Sequence, residues 1–309
     1  MGNTSLEVSR LGFGCLCFGP LQQDMSPQDA GKLMAMAMDR GINMFDTAQY
    51  YNNYEHISYA VKYSKDFILA SKSYAYDIEG ARFALEEALS KTGKDCIDIF
   101  MLHETESEHT IRGHYDALEY YISKKQTGDV RAVGVSTHFV RAVYAAADMP
   151  EIDVIEPIIN FKGIGIVDGT RADMEKAIAY AKDKGKGILA MKPLGGGNLY
   201  HSAKDAFDYI TSLYGIDSVL TGMVSEKEID ANVSYFEKKP YEEAFESLRS
   251  RKKHLMVEDW CVGCGACAER CPNNALSIID GKCVCDEEKC LTCGYCSGAC
   301  KEMALKIID

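Results

Sequence analysis

Eight of the 13 cysteines in this 309-residue chain fall into a spacing that can hold iron. Cys261, Cys264, Cys267 and Cys271 follow C-x2-C-x2-C-x3-C, with Pro272 next, and the run recurs 29 residues on as Cys290, Cys293, Cys296 and Cys300. The repeat extends past the cysteines: Ala275, Leu276, Ile278, Ile279 and Asp280 are matched by Ala304, Leu305, Ile307, Ile308 and Asp309. A cubane cluster needs four thiolates converging on its corners. Three cysteines at two-residue gaps wrap three corners within one loop, and the fourth, too far along its own run, ligates the other cluster. The spacing predicts one [4Fe-4S] site from Cys261, Cys264, Cys267 and Cys300, and a second from Cys290, Cys293, Cys296 and Cys271. Small residues between the ligands (Gly263, Gly265, Ala266, Gly294, Ser297, Gly298, Ala299) let the backbone approach the sulfurs. Structural zinc uses C-x2-C pairs but does not call for a third cysteine at the same gap and then a repeat of the whole run. Disulfide scaffolds belong to secreted chains.

Residues 255–309 resemble bacterial two-cluster ferredoxins. Of the remaining cysteines, Cys283 and Cys285 sit in the hairpin between the repeats, without ligand spacing. Cys15 and Cys17 flank the loop after the first strand, facing a pocket or serving as small buried thiols. Trp260 is expected to anchor the tail to the rest of the chain. Lys and Arg total 34 against 46 acids, a net charge of -12, which argues against nucleic acid or an anionic membrane as partner and leaves room for a basic redox protein. No stretch reaches the ~18 apolar residues of a membrane span. Persistent thiols and clusters imply a reducing compartment, the cytoplasm, and Met1 to Arg10 lacks the apolar core of a signal peptide.

The elements that must position any chemistry alternate. Short apolar runs predict strands at Leu11–Gly14, Asn43–Asp46, Phe67–Lys72, Ile97–His103, Ala132–Ser136, Val154–Asn160, Gly187–Lys192 and Ser218–Thr221. Helical periodicity predicts helices at about Ser26–Arg40, Glu55–Tyr63, Glu79–Thr92, Ile111–Thr127, Phe139–Ala147, Asp173–Lys184, Ser202–Tyr214 and Glu226–Glu237. Eight such units predict an α/β chain built as a (β/α)8 barrel, with a small C-terminal α+β domain of the two-cluster ferredoxin type. A doubly wound sheet is the alternative, but no glycine fingerprint follows the first strand. The expected division is a barrel over 1–238, a linking helix over 239–254, within a helix predicted from Lys238 to Leu255, and the tail over 255–309. The basic stretch Arg249 to His254 is expected to be a solvated face.

Barrel chemistry sits at the carboxyl ends of the strands. Asp46 ends the second strand, Tyr51 follows it, Lys72 ends the third and His103 the fourth, so four titratable groups converge on one rim. These residues carry a family resemblance. Gly41-Ile-Asn-Met-Phe-Asp-Thr-Ala48, Leu69-Ala-Ser-Lys72, Leu102-His103, Gly134-Val-Ser136, Pro193-Leu-Gly-Gly-Gly197 and Gly222 to Asn232 make the barrel similar to the aldo-keto reductases. With the tail, the chain resembles the branch of that family fused to a two-cluster module.

The resemblance implies that Tyr51 gives a proton to a carbonyl accepting hydride, with Lys72 lowering its pKa, Asp46 holding Lys72, and His103 orienting the carbonyl oxygen. Tyr50 is the neighbouring rival to Tyr51. A nicotinamide, NADP or NAD, would be held by Ser136, Asn160, Lys192, Pro193, Leu194, Gly195, Gly222, Met223, Ser225, Lys227, Asp230 and Asn232, with Lys227 placed to meet a 2′-phosphate. Three departures alter that cradle: Thr137 and Glu156 stand where the family commonly has Asn and Gln, and Met191 stands in place of a stacking aromatic. Lys192 adds a cation that could bind an anionic substrate or phosphate. His138 adjoins the site, whereas His109 and His114 read as exposed.

The implied function is an iron–sulfur oxidoreductase passing hydride or electrons between NAD(P)H, a small carbonyl or alcohol and two [4Fe-4S] clusters. A flavin could mediate at the barrel mouth. The alternatives are an electron-transfer protein whose barrel has lost carbonyl reduction, or an NADPH-dependent carbonyl reductase with structural clusters.

Overall fold

The computed structural model describes residues 1–249 and 253–308. Eight parallel strands close into a barrel in chain order: β1 (Leu11–Gly14), β2 (Met44–Asp46), β3 (Ile68–Ser73), β4 (Ile97–Leu102), β5 (Val130–Thr137), β6 (Val154–Pro157), β7 (Gly187–Met191) and β8 (Ser218–Thr221). Strands covered on both faces read as continuous apolar runs, and β3 and β4 are buried at every position. The polar residues within those runs are tied down. Asp98 in β4 accepts the Leu69 N–H at 2.9 Å and pairs with Arg131 at 2.7 Å, a structural role at the foot of the barrel.

The surrounding helices are α1 (Pro27–Asp39), α2 (Tyr54–Tyr63), α3 (Ile78–Thr92), α4 (Glu108–Gly113), α5 (Tyr115–Thr127), α6 (Val140–Asp148), α7 (Arg171–Asp183), α8 (Ala203–Ser212) and α9 (Glu226–Phe236). The starts of α1, α3, α4, α7 and α9 carry side-chain caps, such as Ser26 with Pro27 at the first position of α1, and the reciprocal Thr170–Asp173 capping box of α7. The helix predicted over Ile111–Thr127 divides at His114, whose N–H bonds back to Thr110 and Ile111 and closes α4 just after Gly113. The strand predicted over Val154–Asn160 ends at Pro157, because Ile158 makes only an isolated bridge to Met191.

Beyond the barrel, α10 (Glu242–Arg249) is shorter than the predicted Lys238–Leu255 helix, and residues 250–252 lie outside the described chain. His254, read as part of a basic solvated face, opens a strand, β9 (His254–Val257). That strand was invisible locally because its partner lies about 50 residues on: β9 pairs antiparallel with β12 (Leu305–Ile308). A short α11 (Ala266–Arg270) and a hairpin of β10 (Leu276–Ile279) and β11 (Lys282–Cys285) complete the tail. The repeat is visible in three dimensions, since β10 and β12 are the corresponding strands of the two copies. Trp260, expected as an anchor between barrel and tail, is 37% exposed and donates to Glu302 O within the tail. Among the described residues no helix is long and apolar enough to cross a membrane.

The tail sits on the loop after β7. Ile307 N–H donates to Gly196 O at 3.2 Å, and Asn198 Nδ2 donates to Leu305 O at 3.0 Å. Gly197 has φ +84°, and a Cβ there would stand 1.9 Å from the Ile307 carbonyl oxygen. Gly294 likewise approaches the Asn198 carbonyl too closely for a side chain. A Gly197→Ala substitution should therefore weaken the seat by more than about 1 kcal/mol. Limited proteolysis should release the tail faster than from the parent while the circular dichroism of the barrel is unchanged; an equal release rate would mean that the seat tolerates the methyl group.

Candidate active site and cysteine-lined tail

Lys72 lies near the end of β3 with its side chain inside the barrel, 1% exposed. Its Nζ is 2.6 Å from Asp46 Oδ1 and 3.3 Å from Glu156 Oε2, and donates to Thr47 O at 2.9 Å. Burial works against the ammonium, but the two carboxylates outweigh it and hold its pKa above the ordinary lysine value. Burial pushes Asp46 up, with Lys72 opposing. Glu156 goes well above the usual carboxylate range, from burial first and then from the Asp46 charge. Asp46 and Glu156 both lie against the Lys72 ammonium, and of the two Glu156 is held further above its ordinary range. The two titrate as a coupled pair.

Tyr51 ends a single 3₁₀ turn after β2, and its ring lies 5.4 Å from Lys72 Nζ and 5.7 Å from the His103 ring, edge to face. Burial pushes the Tyr51 hydroxyl up; Lys72 pulls it down, but Asp46, Glu156 and Glu104 add to the rise. The expected pull of Lys72 is present but outweighed, so the O–H stays protonated through neutral pH. Tyr50 is half exposed and turned toward Tyr74. His103 stacks on Tyr74 at 4.5 Å. Burial, then Lys72 and Lys192, depress its pKa well below the ordinary value, which favours the neutral imidazole, and its buried Nδ1 has no hydrogen-bond partner among the described residues.

A cleft of about 230 Å³ runs from this cluster across the barrel mouth. Asp46, Tyr51 and Glu156 line one end. Met191, Lys192, Pro193, Leu194, Gly222 and Asn232 line its middle, and Phe245 and Leu248 of α10 and Lys306, Ile307 and Ile308 of the tail supply walls. Five of the twelve residues expected to hold a nicotinamide are thus brought together. The others are engaged elsewhere or stand apart. Ser136 accepts the Glu104 N–H, and Asn160 spends its amide on Ile164 in both directions. Gly195 makes a turn back to Lys192 O, the Met223 carbonyl accepts from Cys17 Sγ, and Ser225 caps α9. Asp230, with Glu226, pairs with Arg40, and Lys227 is exposed. Glu156 Oε2 accepts no hydrogen bond among the described residues, so the Glu156 carboxyl can accept a carboxamide N–H.

Sequence reasoning missed Lys306 and Glu258, both buried where the tail meets the barrel. The available signal was the repeat itself: Lys306 stands where the first copy has Ser277, an odd charge within an apolar strand.

In the tail, Cys271, Cys290, Cys293 and Cys296 line one small cavity, the four grouped by their spacing. Two equivalent N–H···S contacts obey the repeat: Ala275 N to Cys271 Sγ and Ala304 N to Cys300 Sγ, each 3.3 Å. Cys283 N–H points at Cys261 Sγ at 3.5 Å. All 13 cysteines are free. Four thiol donors around one cavity, with backbone N–H groups aimed at sulfur, suit an iron–sulfur cluster.

The chain belongs to the aldo/keto reductase family of oxidoreductases: the family model matches residues 10–208. A 4Fe-4S binding domain model matches residues 256–277, so the family member carries a C-terminal iron–sulfur binding domain. Among curated relatives, L-galactose dehydrogenase of Arabidopsis thaliana is 25% identical over 277 residues, covering 76% of this chain and 86% of that protein. The 6-dehydroglucose reductase of Novosphingobium aromaticivorans is 24% identical over 247 residues, covering 70% and 77%. The holo form of aldo-keto reductase AKR11C1 from Bacillus halodurans shares the fold, with TM-score 0.64, 21% identity, and coverage of 80% of this chain and 94% of that one.

The buried carboxyl pair has a pH signature. An unfolded glutamate loses its proton near 4.5, whereas folded Glu156 retains its own, so above that pH the native state binds more protons than the unfolded state and stability falls as pH rises. Glu156→Gln removes this term. Its stability relative to the parent, from denaturant unfolding, should increase with pH above 4.5; a difference independent of pH would mean that Glu156 is ionised in the fold.

Proposed function

We propose that the protein reduces a small carbonyl compound, or oxidises the corresponding alcohol, at the Asp46–Tyr51–Lys72–His103 rim, with a nicotinamide in the cleft and two [4Fe-4S] clusters in the tail. Bound there, a nicotinamide supplies a hydride and a cubane accepts or gives one electron at a time. Tyr51 holds the proton destined for the carbonyl oxygen, and its protonated state at neutral pH keeps that donor loaded. Neutral His103, with an unpaired ring nitrogen, hydrogen-bonds and orients the same oxygen. Lys72, fixed between Asp46 and Glu156, stabilises negative charge on Tyr51 as the proton leaves. Protonated Glu156 takes the place of a carboxamide-binding amide. The first turn of α9 carries Glu226 and Glu228, which disfavours a 2′-phosphate near exposed Lys227 and favours NADH.

The observation that carries the reading is one cleft with the rim at one end and Ile307 of the tail in its wall. The same Ile307 lines the cavity among Cys271, Cys290, Cys293 and Cys296. That proximity supports electron exchange between cleft and tail. Hydride moves two electrons together and each cluster moves one, so the exchange calls for a one-electron mediator, a flavin in the cleft or an external redox protein.

Tyr51→Phe should lower carbonyl reduction by about 100- to 10,000-fold and leave the NADH dissociation constant unchanged, as measured by fluorescence titration and steady-state rates; full retained activity would remove Tyr51 from the chemistry. Purified anaerobically, the parent should hold about eight iron atoms and Cys296→Ser about four. Anaerobic NADH should bleach the cluster absorbance of the parent only when the mediator is present. Clusters that dithionite reduces but NADH plus a flavin or ferredoxin-type carrier does not would separate the tail from barrel turnover.

A further inference from the structure

Lys192 and Lys306 are two cations of the cleft that proton transfer at Tyr51 does not use. Lys192 follows β7 with φ +56°, a left-handed conformation uncommon for a side chain of this size, and its Nζ meets His138 Nε2 at 3.0 Å. Lys306 arrives from β12, is 2% exposed, and donates to Met303 O at 2.8 Å. Neither makes an ion pair among the described residues. An ammonium has three protons to place, and other buried lysines place theirs: Lys94 has Asp98 and two carbonyls, and Lys186 has two carbonyls. Burial depresses the pKa of both Lys192 and Lys306. Glu104, Glu156 and Glu258 act on Lys192, and Glu258 and Glu104 on Lys306, without an ion pair to either; the Glu104 carboxylate already accepts from Tyr74, and the Trp260 ring centre lies 5.8 Å from Lys306 Nζ. Buried charge left without a counterion is unfavourable unless a ligand supplies one.

We propose that Lys192 and Lys306 form an anion site in the cleft, so that the compound reduced there carries a carboxylate or phosphate group as well as its carbonyl. Both lysines line the cleft that Tyr51 lines, and the Lys192 charge reaches Asp46 and His103. An anion seated between them would hold the rest of the molecule toward the proton donor. The tail then has a second role, since it furnishes half of the site. The word substrate rests on the carbonyl-reduction reading; anion binding itself does not, and it is measured without turnover.

The test is calorimetric titration of anaerobic, cluster-loaded protein with malonate and, separately, with NADH, for the parent, Lys192→Met and Lys306→Met. Malonate should bind the parent and weaken at least about tenfold in each variant, with NADH affinity little changed in Lys306→Met. If malonate does not bind but NADH weakens by that factor in both variants, the site holds and its anion is the cofactor's phosphate. If the parent binds no malonate and NADH affinity is the same in all three proteins, the proposal falls. In that case a lower cluster reduction potential in Lys306→Met would make Lys306 a counter-charge for the tail. Apolar replacement of an unpaired buried lysine is tolerated by packing, and cluster absorbance reports that each variant is folded.

Discussion

The site is organised by one buried ammonium. Lys72 is buried from solvent, so its position is dictated by Asp46 on β2, Glu156 on β6 and the Thr47 carbonyl. A group satisfied from opposite sides of the barrel cannot shift without stranding a charge, and this fixes the floor against which Tyr51 and His103 are placed. Burial and the Asp46 charge favour the protonated form of Glu156, which lets both acids approach one cation with less repulsion. The substitution of an acid for the family's usual amide on β6 is therefore chemically milder than its formal charge implies.

The second constraint is the glycine loop after β7. Gly195, Gly196 and Gly197 all have positive φ, and with Gly294 they bring tail backbone into contact with barrel backbone. Hydrogen bonds from Ile307 and Asn198 then align β12 along the rim. The cleft is consequently a composite: strand ends and loops of the barrel form its floor, and the C-terminal strand forms part of its wall.

How much of this could be read beforehand follows from how local each signal is. The barrel was legible because strands buried on both faces leave apolar runs, and Asp46, Lys72 and His103 stand out as polar residues closing such runs. The cysteine grouping was legible because spacing alone carries the ligation rule. Glu156 was noticed as a departure, but its partnership with Lys72 spans strands far apart in sequence, and no local pattern encodes it. The division of α4 from α5 hinges on a cap at His114 that periodicity overrides. The strand at His254–Val257 needs a partner some fifty residues away, so helical continuation was the natural reading. Of the expected cofactor residues that stand apart from the cleft, Asn160 turns its amide to Ile164, Ser225 caps α9 and Asp230 pairs with Arg40, contacts that no local pattern announces.

The docking of β12 has a consequence for how the enzyme is assembled. The tail's own core is slight: Leu255, Leu276, Leu305 and Ile307 among cysteines. A module of that size ordinarily needs a metal or cross-link to stay folded. With its cofactors in place the module presents Lys306 and Ile307 to the barrel; without them the rim would lose that wall although every barrel residue remained intact. Under the proposed function the barrel's competence would then be conditional on iron supply and on freedom from oxidative damage, so that loss of the clusters in the tail would also silence the rim.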